Sequence, residues 1–144
     1  MIRTRDKAGL AVSAFVVLLF LGFLLFVYSN SAAGLARRVR SSGCAGVLQT
    51  WATNLLTRYE TNATAAVSQE IPLSELPAVL SSVRAPCASW RARIEQEGGY
   101  SVVHLFSVGG FGGYGLTVGP LQLEMMTDKY CARVAPGIYA QRYP

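Results

Sequence analysis

The chain has 144 residues, 51% of them hydrophobic and 15% charged, with 13 Lys and Arg against 8 Asp and Glu for a formal charge of +5. So apolar a composition, with charge well below the ~25% usual in soluble domains, excludes a disordered tail. The basic excess is diffuse, and Arg3, Arg5 and Lys7 already account for part of it; it lacks the one-sided Lys/Arg cluster of a nucleic-acid footprint, so no nucleic-acid partner is expected.

From Ala8 to Tyr28 the sequence AGLAVSAFVVLLFLGFLLFVY carries no charge, with Lys7 just before it. As a helix this stretch spans about 31 Å, matching the hydrocarbon core of a bilayer. Tyr28 stands where an interfacial aromatic belongs. The segment reads as a transmembrane helix bounded by Ala8 and Tyr28. A cleavable signal ending near Ser31-Ala32-Ala33 would have a shorter apolar run, and a prepilin-type leader would end at Gly9. Basic residues mark the cytoplasmic side. The cluster of Arg3, Arg5 and Lys7 is nearer the span than Arg37, Arg38 and Arg40, which places the N-terminus inside and the C-terminal domain outside.

Residues 29–43 are small, polar and basic, as in a juxtamembrane linker near lipid head groups. The ectodomain is expected over residues 44–144, after a basic tail at 1–7, the anchor at 8–28 and that linker. Between Ala45 and Glu60, Val47, Leu48, Trp51, Leu55, Leu56 and Tyr59 recur at helical spacing. Asn62-Ala63-Thr64 matches a glycosylation sequon. Ser74 to Arg84 predicts a short helix stopped by Pro86.

Beyond that point the period changes to 2. Trp90, Ala92 and Ile94 alternate with Arg91, Arg93 and Glu95; Gly98-Gly99 turns; Tyr100–Val108 is β-branched and aromatic; Tyr114–Val118 and an alternating Leu121–Met126 follow. These predict a four-stranded antiparallel meander, with a last short helix capped at Thr127 or Asp128 and carrying Cys131. The fold class is α+β: an N-terminal transmembrane helix, then a small ectodomain of short helices and the meander.

No motif for chemistry emerges. The Gly-rich run around Phe111 lacks the Lys-Ser/Thr and helix context of a phosphate loop, and reads as a hairpin tip offering Phe111 and Tyr114 as a partner or membrane contact. His104, the only histidine, has no acid or nucleophile at an obvious spacing and reads as structural. Glu95 and Glu97 read as surface partners of Arg91 and Arg93. No catalytic residue, cofactor, small-molecule substrate or metal site is expected, since the cysteines and histidine are scattered. Of Cys44, Cys87 and Cys131, the pair Cys87 and Cys131 flanks the strand region and is expected to form a disulfide, leaving Cys44 over.

The run Trp90-Arg91, Gly99-Tyr100-Ser101, Leu105-Phe106, Gly113, Val118-Gly119-Pro120 and Cys131 resembles the ectodomain of small, N-terminally anchored components of the poxvirus entry–fusion complex. Ala92 stands where that family has its first cysteine. The resemblance implies a virion-membrane protein that works with other membrane-anchored subunits to merge viral and host membranes. The basic leader ending at Gly9, the apolar helix and the α/β head are similar, alternatively, to a type IV pilin or pseudopilin, although Ala14 occupies the fifth mature position where most pilins have glutamate.

Overall fold

The computed structural model describes residues 4–29, 31–60, 68–83, 88–108 and 113–143. The fold is α+β, with an apolar N-terminal helix and an antiparallel sheet. Among the described residues the sheet has six strands rather than the expected four.

Helix α1 spans Thr4–Ser29. Its segment Gly9–Tyr28, 20 residues without a charge and none of them buried, is long and apolar enough to cross a membrane. Helix α2, Ala32–Ser42, begins almost at once. Ser31 sits at its N-cap, accepting a hydrogen bond from the Gly34 amide at 3.1 Å and donating one to the Tyr28 carbonyl at 2.6 Å. The stretch expected to be a linker is therefore mostly helix. Leu35, Ala36 and Val39 form its inward stripe and are buried in the main core. Arg40 donates to the Val134 and Arg133 carbonyls, and Arg38 Nε to the Val83 carbonyl at 3.3 Å.

Helix α3, Ala45–Glu60, buries Leu48, Ala52, Leu55 and Leu56 and half-buries Trp51 and Tyr59. The expected inner face is right except at Val47, which is 54% exposed. Cys44, between the two helices, is a buried core residue, its thiol within 2.9 Å of the Ser42 hydroxyl. Strand β1, Ser68–Ile71, precedes a single 3-10 turn at Leu73–Glu75 and the short helix α4, Leu80–Val83. One helix over 74–84 was expected; Pro77 and the turn divide it. Two tryptophan indoles close this corner, Trp51 donating to the Glu75 carbonyl at 2.8 Å and Trp90 to the Leu80 carbonyl at 2.9 Å.

Strands β2 (Ser89–Glu97), β3 (Tyr100–Val108) and β4 (Tyr114–Val118) lie close to their expected positions. Gly98 and Gly99 adopt φ of 59° and 83°. Positive φ at both residues is what a two-residue type I′ hairpin requires. The expected fourth strand at Leu121–Met126 is instead an irregular crossing segment. The place beside β4 is taken by β6, Ile138–Arg142, which also pairs with β5, Cys131–Ala135, giving the order β1-β2-β3-β4-β6-β5.

The expected final helix is thus a hairpin. Asp128 does act as a cap, accepting from the Tyr130 and Cys131 amides at 2.7 and 2.8 Å, but it closes a turn into a strand. Pro136-Gly137 is the β5–β6 turn.

Helices α2 and α3 both pack on one face of the sheet. There Trp90, Ala92, Val103, Leu105, Leu116, Val118, Ile138 and Ala140 complete the main core. A small second cluster of Val102, Leu123, Cys131 and Tyr139 occupies the opposite face. Leu123, from the crossing segment, plugs that face, and Tyr139 donates to its carbonyl at 3.0 Å.

Because α2 is part of the core, Leu35→Ala should destabilise the domain by about 2–5 kcal/mol, as cavity-forming core substitutions do. Chemical unfolding of the detergent-solubilised chain measures this. No change in midpoint would show that α2 behaves as a linker.

Candidate functional site

Alternation along the strands gives the helix-free face a different character. It receives Arg93, Glu95 and Glu97 from β2, His104 and Phe106 from β3, Gly115 and Thr117 from β4, and Gln141 from β6. The β2–β3 register sets Arg93 opposite His104, and the β3–β4 register sets His104 opposite Thr117. Tyr143, just past β6, folds back over Gly115.

His104 lies at the centre and is 5% exposed. Its Nδ1 is 2.7 Å from the Tyr143 hydroxyl and 3.0 Å from Thr117 Oγ1, and those two hydroxyls are 3.0 Å apart. Gln141 Nε2 donates to Thr117 Oγ1 at 2.7 Å. On the other side of the ring, Nε2 is 3.3 Å from Glu95 Oε2 and 3.5 Å from Glu97 Oε2. Arg93 Nε pairs with Glu95 Oε1 at 2.9 Å, and its guanidinium lies 5.3 Å over the Phe106 ring.

Carboxylates on the Nε2 side favour the tautomer with its proton there, which leaves Nδ1 to accept from the Tyr143 hydroxyl. Both ring nitrogens are then engaged. Burial lowers the His104 pKa below its ordinary value; Glu95 opposes that shift and Arg93 adds to it. Glu97 is raised, by burial first and by Glu95 second, and its Oε2 is buried without a hydrogen bond. Tyr143 is pushed up to about 12, chiefly by burial, so its hydroxyl stays protonated and serves as a hydrogen-bonding group. Chemically, the cluster is a hydrogen-bonded network of histidine, tyrosine, threonine and glutamine beside the Arg93–Glu95 ion pair, with Glu97 Oε2 left without a hydrogen bond.

Gly115 makes the network sterically possible. A Cβ there would run first into the Leu105 backbone carbonyl of β3 and then come within 2.6 Å of Tyr143 Cε2, so only glycine lets β3 and the tyrosine ring both close on β4. Beside the cluster opens a cleft of about 380 Å³, lined by Glu97, Gln141, Cys131, Leu123, Met125 and Met126 among others.

The residues singled out from sequence fare differently. Tyr114 is half-buried against the main core on the helix side. Cys131 is a free, buried thiol on the opposite face, in the cluster with Leu123, its pKa raised by burial and then by Asp128 and Glu97. Its intended partner Cys87, the hairpin-tip Phe111 and the sequon Asn62 lie outside the described residues. Glu95, read as a surface partner of neighbouring arginines, does pair with Arg93, and it and Glu97 also converge on His104. Among the described residues no group of three or more His, Cys, Asp or Glu side chains could hold a metal ion. Comparison with protein-family models, curated proteins and solved structures finds no match to this chain.

Two predictions follow from the cluster's geometry. The unfolded chain binds a proton at His104 more readily than the folded chain, so stability present above about pH 6.5 should decline as pH falls below that value. Glu97 has the opposite sign, its protonation favouring the fold at lower pH. Urea unfolding of wild type between pH 7.5 and 5.5 should show the decline and His104→Gln should flatten it; parallel profiles would refute the assignment. Separately, Gly115→Ala should cost about 1–3 kcal/mol through overpacking, more than the ~1 kcal/mol hydrogen-bond loss of Tyr143→Phe. Equal unfolding midpoints for Gly115→Ala and wild type would show that neither the close approach of the Leu105 carbonyl nor that of Tyr143 needs the glycine.

Proposed function

We propose that the chain is a non-enzymatic, single-pass membrane protein whose folded domain serves as one subunit of an envelope complex. The observation carrying this reading is the direct passage from an uncharged 20-residue helix with no buried side chain into α2, which is built into the domain's core. Such a join holds the domain at the membrane surface rather than on a free tether. The basic residues closest to the span precede it, which favours a cytoplasmic N-terminus and an external domain.

The non-enzymatic reading draws on the His104 cluster. Its imidazole is buried and both nitrogens face groups of the domain itself. A general base needs an open path to a substrate proton, and this ring is turned away from solvent. The partners in this reading are the lipid bilayer, for the uncharged helix, and other membrane-anchored subunits. The specific assembly we favour is a viral entry and membrane-fusion complex in the virion membrane, on the strength of the sequence resemblance.

A second reading, a pilin-like or pseudopilin-like subunit, is supported by the succession of α1, α2 and α3, with the later helices packed on one face of an antiparallel sheet. The N-terminus separates the two. Gentle detergent extraction followed by intact mass measurement and identification of co-purifying proteins should give a chain that keeps residues 1–9 and travels with other membrane subunits. A chain beginning at Leu10 would replace the viral reading with the pilin-like one. Release of the protein by carbonate, without detergent, would overturn both.

A further inference from the structure

Where α1 meets α2 there is a recess of about 400 Å³, lined by Leu25, Phe26, Tyr28, Gly34, Arg37 and Arg38. Its two walls differ in chemistry. One is the last turn of the apolar span, and the other is the cationic side of α2. We propose that this recess binds a single anionic phospholipid, its phosphate against Arg37 and Arg38 and its acyl chains along Leu25 and Phe26. This inference rests on the reading of α1 as a membrane anchor.

The charge distribution favours an anion strongly. From Lys7 to Tyr59 there is no acidic residue, while Arg37, Arg38 and Arg40 fall within four positions. Arg40 is committed to carbonyls of β5. Arg38 is oriented by its Nε bond to the Val83 carbonyl and lines the recess. Arg37 is exposed. Guanidinium forks match phosphate oxygens in a paired geometry that ammonium groups do not.

The apolar wall decides which anion. A soluble phosphate could meet the arginines but would make no use of Leu25, Phe26 and Tyr28, which on the anchor reading lie where an acyl chain is the neighbour. A lipid covers both walls, and at the end of a span the two are encountered at the right depth, head group above and hydrocarbon below. The α2 N-terminal amide is already capped by Ser31, so the recognition falls on the arginines. The volume is in the usual range for a small-molecule site and suits a head group and glycerol, with the tails continuing along α1.

The test uses the full chain in detergent micelles, with phosphatidylglycerol and phosphatidylcholine of identical acyl chains added in equal amounts and retained lipid read by native mass spectrometry. One phosphatidylglycerol should be retained at least about tenfold over phosphatidylcholine, the equivalent of about 1.4 kcal/mol. Arg37→Gln should abolish most of that preference while leaving the unfolding midpoint unchanged, and Arg37→Lys should restore it only in part. Millimolar inorganic phosphate should not displace the lipid; displacement would mean a soluble-anion site and overturn the proposal. Equal retention of both lipids by a protein that still requires detergent would overturn the lipid site while leaving the anchor intact. A chain soluble without detergent would overturn the anchor and this site with it.

Discussion

The register of the β2–β3 hairpin is the constraint on which the rest of the domain depends. Gly98 and Gly99 close it with two residues at positive φ, and a two-residue turn leaves no freedom in which residues face each other. Glu97 is thereby set against Tyr100, and every pair back to Ser89 and Val108 follows. A slip of one residue would send Val103 and Leu105 to the helix-free face and bring His104 into the apolar core. The hairpin therefore decides at once which residues meet the helices and which acids meet the histidine.

The two faces divide the physical work. The helix side is a continuous apolar core to which α2, α3 and the sheet all contribute. Its stabilisation comes from area removed from water and changes little with pH. The other side is partly closed by Leu123, Cys131 and Tyr139, and otherwise held by hydrogen bonds and charges around His104. Buried polar groups of this sort fix one arrangement because each must find a partner. Tyr143 illustrates the point, since its ring needs the bare backbone of Gly115 and its hydroxyl needs Nδ1.

How much of this the sequence reveals depends on how local the signal is. The bounds of β3 and β4 are legible because Tyr100–Val108 and Tyr114–Val118 are β-rich runs between glycines. The inner face of α3 is legible from leucine spacing. Helix α2 is concealed by composition: Leu35, Ala36 and Val39 form a narrow stripe among arginines and serines, so the segment reads as a polar linker. In β5 and β6 the turn chemistry misleads, because an aspartate bonding two following amides serves a strand entry as well as a helix start. Strand β1 buries only Ile71, which leaves no period to detect.

The His104 cluster is a different kind of omission. Its members come from β2, β3, β4, β6 and the residue after β6, so no linear spacing could bring them together. Half of it was nonetheless within reach. Once Gly98-Gly99 is taken as a two-residue turn, counting back along both strands places Arg93 opposite His104 and puts Glu95 on the same face one diagonal away. Thr117 requires the β3–β4 register, which the connection across 109–113 does not fix as a two-residue turn does, and Tyr143 requires the β4–β6 pairing, whose connection runs across 119–137. That ordering also explains why the cluster bears on the whole domain: it joins the early hairpin to the C-terminal strand through Thr117, Gln141 and Tyr143. The anchor enters from the opposite side, through α2 against β5 and β6. Strand β6 thus carries both loads, Ile138 and Ala140 facing the helices while Gln141 secures the polar face, so the last strand in the chain holds together the halves that the first hairpin defines.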